Sequence, residues 1–265
     1  MPEVRVPEVR LQIQDNIARI TLSNPTRLNA MTMAMWTQLA NAFDTIAEDA
    51  SVRVVVLAGD GDNAFVSGAD ISEFETQRNS EAQVLAYEAE GDRARDAMLA
   101  CSRPVIAAIR GVCVGGGLGL AGGCDLRYAT RSSRFRMPAA RLGVGYGLEG
   151  TKRFVDVLGA ARTAELFYTA RMFDGDEAER IGFAHKVFAD DEFDTAIEGI
   201  IANIAVNAPL PILAAKLAIR EAQKDPDVRD EQVVADAVKA CFDSEDYKEG
   251  RRAFMEKRTP KFEGR

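Results

Sequence analysis

RGVCVGGGLGLAGGCDL, Arg110 to Leu126, joins an apolar run to a segment made almost wholly of small residues. Pro104 to Ile109 before it reads as a buried strand. Three consecutive glycines, Gly115 to Gly117, then open a stretch that can be helical. The first backbone N–H groups of such a helix have no partner inside it, and glycine leaves them uncovered. The helix dipole adds partial positive charge at the same end. An oxygen bearing negative charge fits there. Close helix–sheet packing explains a triple glycine equally well. A phosphate-cradling P-loop is excluded, because no Gly-Lys-Ser/Thr follows. The dinucleotide pattern breaks at Leu120 when counted from Gly115. Counted from Gly117 it is met by Gly119 and Gly122, and a lone match of that kind carries little.

A second segment resolves the choice. VRVVVLAG, Val52 to Gly59, reads as a buried strand, and GDNAFVSGADI, Gly61 to Ile71, follows it. The pair resembles the crotonase superfamily, the enoyl-CoA hydratase/isomerase family. In that family a strand and a Ser/Ala-Gly-Ala-Asp-Ile loop precede a Pro-Val-Ile-Ala-Ala strand and a triple glycine. Here they stand as Ser67 to Ile71 and Pro104 to Gly117. Asn24 to Ala30 is similar to the family's first CoA-contacting turn, and Cys124 to Ala129 to its strand after the Gly-rich helix. Phe135 to Arg153 and Phe254 to Phe262 resemble its later segments. The resemblance spans nearly the whole chain, with the motifs in the family's order.

The resemblance implies an α/β fold: a crotonase-type ββα superhelix core over residues 1–190 and an all-helical C-terminal region over 191–265. In the family that tail packs on a trimer partner and helps close the site. A homotrimer or dimer of trimers is the implied assembly, and a self-contained helical cap is the other reading of the same residues. The periodicity itself predicts a hairpin from Val9 to Leu22 turning at Asp15-Asn16 and a helix from Thr32 to Asp49 capped by Thr32. It predicts a further helix from Ser80 to Ala100 and a strand from Asp125 to Ala129. Helical runs follow over Phe193–Val206, Leu210–Lys224, Asp230–Phe242 and Glu245–Glu256.

Composition narrows the function classes. The 265 residues suit one domain with a terminal extension, and 47% apolar content supports a sizeable core. A net charge of −8 without a basic stripe argues against nucleic acid. No apolar run is long enough to span a membrane, and MPEVRVPEVR lacks a signal-peptide core. Cys101, Cys113, Cys124 and Cys241 form no C-x-x-C pair and read as reduced thiols of a cytoplasmic protein. A lone histidine, His185, leaves no His-based metal site or triad as the main chemistry, and it reads as structural. Asp60-x-Asp62 is no calcium loop, because Ala64 takes the third ligand position. No metal is expected, and no cofactor beyond the CoA that the thioester substrate itself carries.

By the resemblance, an acyl-CoA thioester binds with its carbonyl oxygen between the N–H groups of Ala69 and Gly116. One such donor is typically worth about 2.7–4 kcal/mol in the transition state. The residues implied to hold the CoA portion are Arg27, Leu28, Ala30, Ala69, Asp70, Ile71 and Phe262. Lys257, Arg258 and Lys261 are further candidate cations. The family's hydratases move protons with two glutamates, one two residues after the triple glycine and one after the Pro of Phe-x-x-Pro. Those places are Gly119 and Ala139 here. Isomerase, decarboxylase and unorthodox hydratase chemistry therefore stay open. Leu142 to Gly150 should fold over the acyl pocket. Tyr146 falls where the family's methylmalonyl-CoA decarboxylases carry a tyrosine, although their histidine at the place of Ala69 is missing. Glu149 lies one residue from the aspartate of its dienoyl-CoA isomerases. Tyr146 also reads as a packed aromatic, and Glu149 as an acidic residue at a helix start. Asp70 and Asp125 read as structural. Phe74, Met137, Val144 and Leu148 are candidate pocket residues. The alternative from another class is a non-catalytic acyl-CoA-binding or scaffold subunit. A serine hydrolase built on Ser67 lacks Gly-x-Ser-x-Gly.

Overall fold

The computed structural model describes residues 6–73 and 80–265, apart from the side chains of Glu81 and Val84. Strands β1 (Glu8–Gln14) and β2 (Ile17–Ser23) form the expected hairpin, in full antiparallel register from Glu8↔Ser23 to Gln14↔Ile17. Asp15 and Asn16 both take positive φ, 51° and 65°, as a two-residue turn that matches strand twist requires. Helix α1 (Met33–Glu48) starts at Thr32, whose hydroxyl accepts from the Met35 N–H. Its buried residues Met35, Leu39, Phe43 and Ile46 form one apolar face.

Three strand pairs follow, and each pair is split between two sheets. They are β3 (Val54–Gly59) with β4 (Ala64–Val66), β5 (Val105–Ile109) with β6 (Val112–Val114), and β7 (Leu126–Thr130) with β8 (Arg134–Arg136). Strands β9 (Met172–Asp174) and β10 (Lys186–Phe188) complete the set. Among the described residues the larger sheet runs β1-β2-β3-β5-β7-β10 and the smaller β4-β6-β8-β9. Every pairing from β2 to β10 in the larger sheet is parallel. Each turn of the chain thus lays one strand in each sheet and returns through a helix. That is the ββα superhelix expected from the sequence.

Alternation divides the larger sheet's side chains between two cores. Val55, Leu57, Val105, Ala107 and Ile109 face the main core with α1 and the smaller sheet. Val54, Val56, Ile106 and Ala108 face the other way, against Phe193, Ile197 and Ile201. A sheet covered on both faces reads as a continuous apolar run, which is why VRVVVLAG shows no alternation in sequence. The short strands β4, β6, β8 and β9 were invisible to pattern reading. Each has three residues, too few for periodicity.

The return helices are α2 (Glu81–Ala100), α3 (Gly116–Gly123), α4 (Ala139–Leu142), α5 (Leu148–Leu158), α6 (Ala160–Thr169) and α7 (Gly175–Arg180). The Ser80 hydroxyl caps α2 by accepting from the Gln83 N–H. The tail consists of α8 (Phe193–Ala205), α9 (Pro209–Ala222), α10 (Glu231–Asp243) and α11 (Glu245–Glu256). No single described helix is long and apolar enough to cross a membrane.

An ion pair between a buried lysine and a partly exposed aspartate ties the tail to the sheet. The Lys216 ammonium of α9 donates to Asp125 Oδ2 at 2.6 Å and to the Arg103 carbonyl at 2.7 Å. The same Asp125 oxygen accepts the Val105 N–H at 2.7 Å, at the start of β5. Removing the cation leaves a carboxylate short of its partner. Lys216→Met is expected to lower unfolding free energy by about 1–3 kcal/mol, read by urea denaturation. A loss below half that would mean α9 is held by apolar contact alone.

Candidate active site

The site begins at a buried polar knot. Leu28 and Asn29 take left-handed conformations, with φ of 51° and 55°, so the chain turns sharply after Asn24. Asn29 Oδ1 accepts the Asn24 N–H at 3.0 Å, and its amide donates to the carbonyls of Ala64 and Asp60. The Asn24 amide donates to the Ala30 carbonyl at 2.9 Å and to Asp70 Oδ2 at 3.3 Å. Asp70 also accepts from the Ser72 N–H and hydroxyl. Burial pushes the Asp70 carboxyl up, but the Ser72 and Asn24 hydrogen bonds and nearby Arg27 outweigh it and hold the carboxyl below its usual range. Asp70 fixes its own loop, as its neighbours in sequence suggested.

This knot fixes the direction of one N–H group. The Met31 N–H donates to the Gly68 carbonyl at 2.8 Å, and the Asp70 N–H donates to the Met31 carbonyl at 2.9 Å. Ala69, held between those two bonds, must turn its own N–H away from Met31. The second N–H comes from α3. Gly115 precedes the helix at φ 56°, where a side chain would be strained. Gly116 is the first helical residue, so its N–H has no acceptor inside the helix. A Cβ on Gly117 would come 2.2 Å from the Val66 carbonyl oxygen, so only glycine lets α3 press this closely on β4. The position of a Cβ on Gly116 lies 4.0 Å from the Ala69 nitrogen. The two residues are thus neighbours, and neither N–H has an acceptor among the described residues. Both residues line a cavity of about 450 Å3.

Trp36 of α1 and Tyr87 of α2 form one wall. The Trp36 Nε1–H donates to the Tyr87 hydroxyl at 3.3 Å, which donates to the Met31 carbonyl at 3.2 Å. This relay braces the backbone next to Ala69. The opposite wall holds Met137, Ala139, Val144 and Tyr146. The Tyr146 hydroxyl lies 3.6 Å from where a Cβ on Gly119 would be. Its ring packs edge-on against Phe167, with centroids 5.4 Å apart. No described residue hydrogen-bonds this hydroxyl. Burial pushes the phenol pKa above its usual value, partly opposed by the charge of Arg95. The phenol is therefore neutral near pH 7 and available as a donor.

Several sequence candidates lie elsewhere. Glu149 is exposed in the first turn of α5, and neither it nor Leu148 lines the cavity. Phe74 lies outside the described residues. Ile71 lines the cavity and Leu28 is exposed near it, while Ala30 is buried in the knot. Arg27 is exposed, 4.0 Å from Asp70. Phe262 lines a separate apolar cavity with Phe242, Tyr247 and Phe254. Arg258 pairs with Glu249 and Glu256. His185 accepts the Arg127 N–H at its Nδ1, and burial with the nearby Arg127 charge lowers its pKa. It is a neutral structural residue on the far side of β7. Among the described residues no three His, Cys, Asp or Glu side chains are grouped to hold a metal.

Sequence reading missed the contribution of α2. Tyr87, Glu88, Gly91 and Arg95 all line the cavity, on one face of that helix. Glu88 is the carboxylate that the structure brings to the cavity, where Glu149 does not reach. One signal was present. Gly91 lies in the middle of a long helix, where glycine costs about 1 kcal/mol against alanine and calls for a packing or functional reason.

The sequence pattern of the enoyl-CoA hydratase/isomerase family matches residues 12–265. The chain is 32% identical to the crotonyl-CoA hydratase of Syntrophomonas wolfei, over 95% of this chain and 96% of that one. It is 34% identical to the short-chain-enoyl-CoA hydratase of Clostridium acetobutylicum, over 97% of each. The crystal structure of an enoyl-CoA hydratase/carnithine racemase from Magnetospirillum magneticum superposes with a TM-score of 0.93 at 38% identity, covering 97% of this chain and 96% of that one.

The Asp70 knot predicts a pH dependence. A carboxyl whose pKa is lowered on folding adds stability above its unfolded value, near 4, and that stability is lost as pH falls through the folded value. Asp70→Asn is expected to cost roughly 1–2 kcal/mol at pH 7. The difference from the parent protein should shrink as pH falls below about 4. Urea denaturation at pH 7 and pH 3 measures both, and an equal difference at the two values would remove Asp70 ionisation from the account.

Proposed function

The chain belongs to the enoyl-CoA hydratase/isomerase family, and from that premise we propose that it turns over an acyl-CoA thioester through an enolate held at Ala69 and Gly116, with decarboxylation as the reaction. The observation that carries the reading is Tyr146. A neutral, unpartnered phenol faces Gly119, and no carboxylate stands at Gly119 or Ala139. Hydration and double-bond migration both need a base to take a proton. Loss of CO2 needs none. The bond from the α-carbon to the carboxylate breaks, and its electron pair passes into the thioester to give the enolate. The oxygen that gains charge lies between the two N–H groups, which are already oriented and lose no energy in reorganising. Tyr146 then donates its proton to the α-carbon and recovers one from water. An enolate is a far stronger base than a phenolate, so a raised phenol pKa does not hinder this step.

The CoA portion is assigned to the turn of Arg27, Leu28 and Ala30 and to Ala69, Asp70 and Ile71. Exposed apolar side chains at Leu28 and Ile71 support this. Residues 191–265 are assigned to packing between copies of the chain, with Phe262 reaching a CoA from there. Support comes from Phe242 and Phe254, which are strongly exposed and line the apolar cavity of Phe262. Glu88 favours a second reading. It lines the acyl cavity and would serve as base for isomerisation or for a hydration unlike that of the two-glutamate enzymes.

Release of CO2 from malonyl-CoA and methylmalonyl-CoA tests the proposal, beside hydration of crotonyl-CoA followed by ultraviolet absorbance. Decarboxylation is expected, and Tyr146→Phe should reduce its kcat by about 10²-fold while thioester affinity stays. Hydration abolished by Glu88→Gln would establish the second reading. Tight thioester binding with no turnover of any of these would identify a binding subunit.

A further inference from the structure

Arg95 has no role in the enolate chemistry, yet it lines the acyl cavity. It is the only Lys or Arg among the described residues that do so. Its position is built. Side chains on a helix lean toward its N-terminus, so a residue at 95 lies over position 91. Position 91 is glycine, and a Cβ there would meet Arg95 Nη1 at 3.1 Å, tighter than ordinary packing. Gly91 therefore gives the guanidinium its berth against the cavity wall.

The charge there is incompletely matched. Arg95 Nη2 contacts Asp92, an i,i+3 pair whose carboxylate is 63% exposed. Such a pair is held loosely. No described residue receives the other guanidinium nitrogens of Arg95. Arg153 of α5 stands close enough for the two like charges to oppose each other, and its buried Nη1 has no hydrogen-bond partner among the described residues. Asp96, Glu149 and Asp92 also face Arg153, but all three are exposed. Glu88 is two turns of α2 from Arg95, about 10 Å along the axis. The Tyr146 hydroxyl, close enough to Arg95 to feel its charge, adds a neutral donor. The inner end of the cavity thus sets a guanidinium beside a neutral phenol, and Glu88, the carboxylate lining the cavity among the described residues, stands two turns of α2 away.

We infer that Arg95 is a specificity-determining residue whose guanidinium receives a carboxylate on the acyl group, so that the site selects carboxylated acyl-CoA thioesters over neutral ones of equal length. This rests on the acyl-CoA reading of the cavity. The Tyr146 hydroxyl faces Gly119, one turn of α3 or about 4.5 Å beyond Gly116. The carboxylate therefore sits on a short acyl group. A guanidinium that holds charge departing as CO2 binds the ground state more than the transition state. Its loss raises KM and leaves kcat unchanged or higher.

Two pairs of thioesters test this by calorimetric titration: succinyl-CoA against butyryl-CoA, and malonyl-CoA against propionyl-CoA, the second pair in a Tyr146→Phe background where turnover of malonyl-CoA is slowed. Within each pair a carboxylate replaces a methyl group at the same chain length. At least one carboxylated member should bind roughly 10- to 100-fold tighter. Arg95→Met should abolish that preference without weakening the neutral member, and Arg95→Lys should keep part of it. Thermal melts of each variant, with butyryl-CoA bound, show that the fold and the oxyanion site are intact. Equal affinities within both pairs, or a preference that survives Arg95→Met, overturns the inference. A preference lost in Arg95→Met with no CO2 released from any thioester leaves the inference standing and removes the decarboxylation reading. CO2 release with a KM indifferent to Arg95→Met does the reverse.

Discussion

The backbone N–H groups of Ala69 and Gly116 lie close together with no acceptor among the described residues. Nearly everything distinctive in this chain follows from that. A folded protein normally pairs its backbone donors, because a buried unpaired one is costly. Here the Met31–Ala69 bridge spends the neighbouring donors and leaves that of Ala69 pointing outward, while the helix start at Gly116 leaves its own donor free by geometry. Bringing the two together requires α3 to lie on β4 at a distance that only glycine permits, at Gly117 against Val66. It also requires positive φ at Gly68 and Gly115. The buried amides of Asn24 and Asn29 serve the same end. They replace water for the carbonyls of a turn that secondary structure cannot satisfy.

What was legible in the sequence follows from periodicity and from steric necessity. The Thr32 helix carried both a cap and an apolar face, the Ser80 helix a cap and the tail its helical runs, and the structure ends them within a residue or two of the expected bounds. The triple glycine and the Ser67 to Ile71 loop were legible because their geometry leaves few residue choices. The smaller sheet was not legible. Three-residue strands such as Ala64–Val66 have no period, and they exist because the larger sheet's chain must turn back at each end. The α2 wall was missed for a different reason. Its face toward the cavity mixes Tyr87, Glu88, Gly91 and Arg95, and a mixed face resembles a solvated one when read along the chain. Glu149 was singled out because it lies one residue from the place where the resembling dienoyl-CoA isomerases carry an aspartate. One residue step along a helix turns a side chain by about 100°, so such nearness does not place two groups on one face.

Electrostatics at the inner end of the cavity connect the missing glutamates to Arg95. In the two-glutamate arrangement, carboxylates at the places of Gly119 and Ala139 would put negative charge beside the acyl chain. A guanidinium nearby would pair with them and be unavailable to substrate. With glycine and alanine there, the carboxylates are gone, and the space beside Gly119 holds a neutral phenol. Arg95 is then the cation nearest the acyl chain among the residues lining the cavity, although the whole chain carries a net charge of −8. Fields within a low-dielectric cleft are set by the nearest groups, and distant surface charge is screened by salt within about 10 Å. On the proposed reading, glycine and alanine at these two places also leave the cavity open to an anionic acyl group. A neutral enoyl chain gains nothing from that change, whereas a carboxylated one gains a partner at the place where a hydratase would repel it.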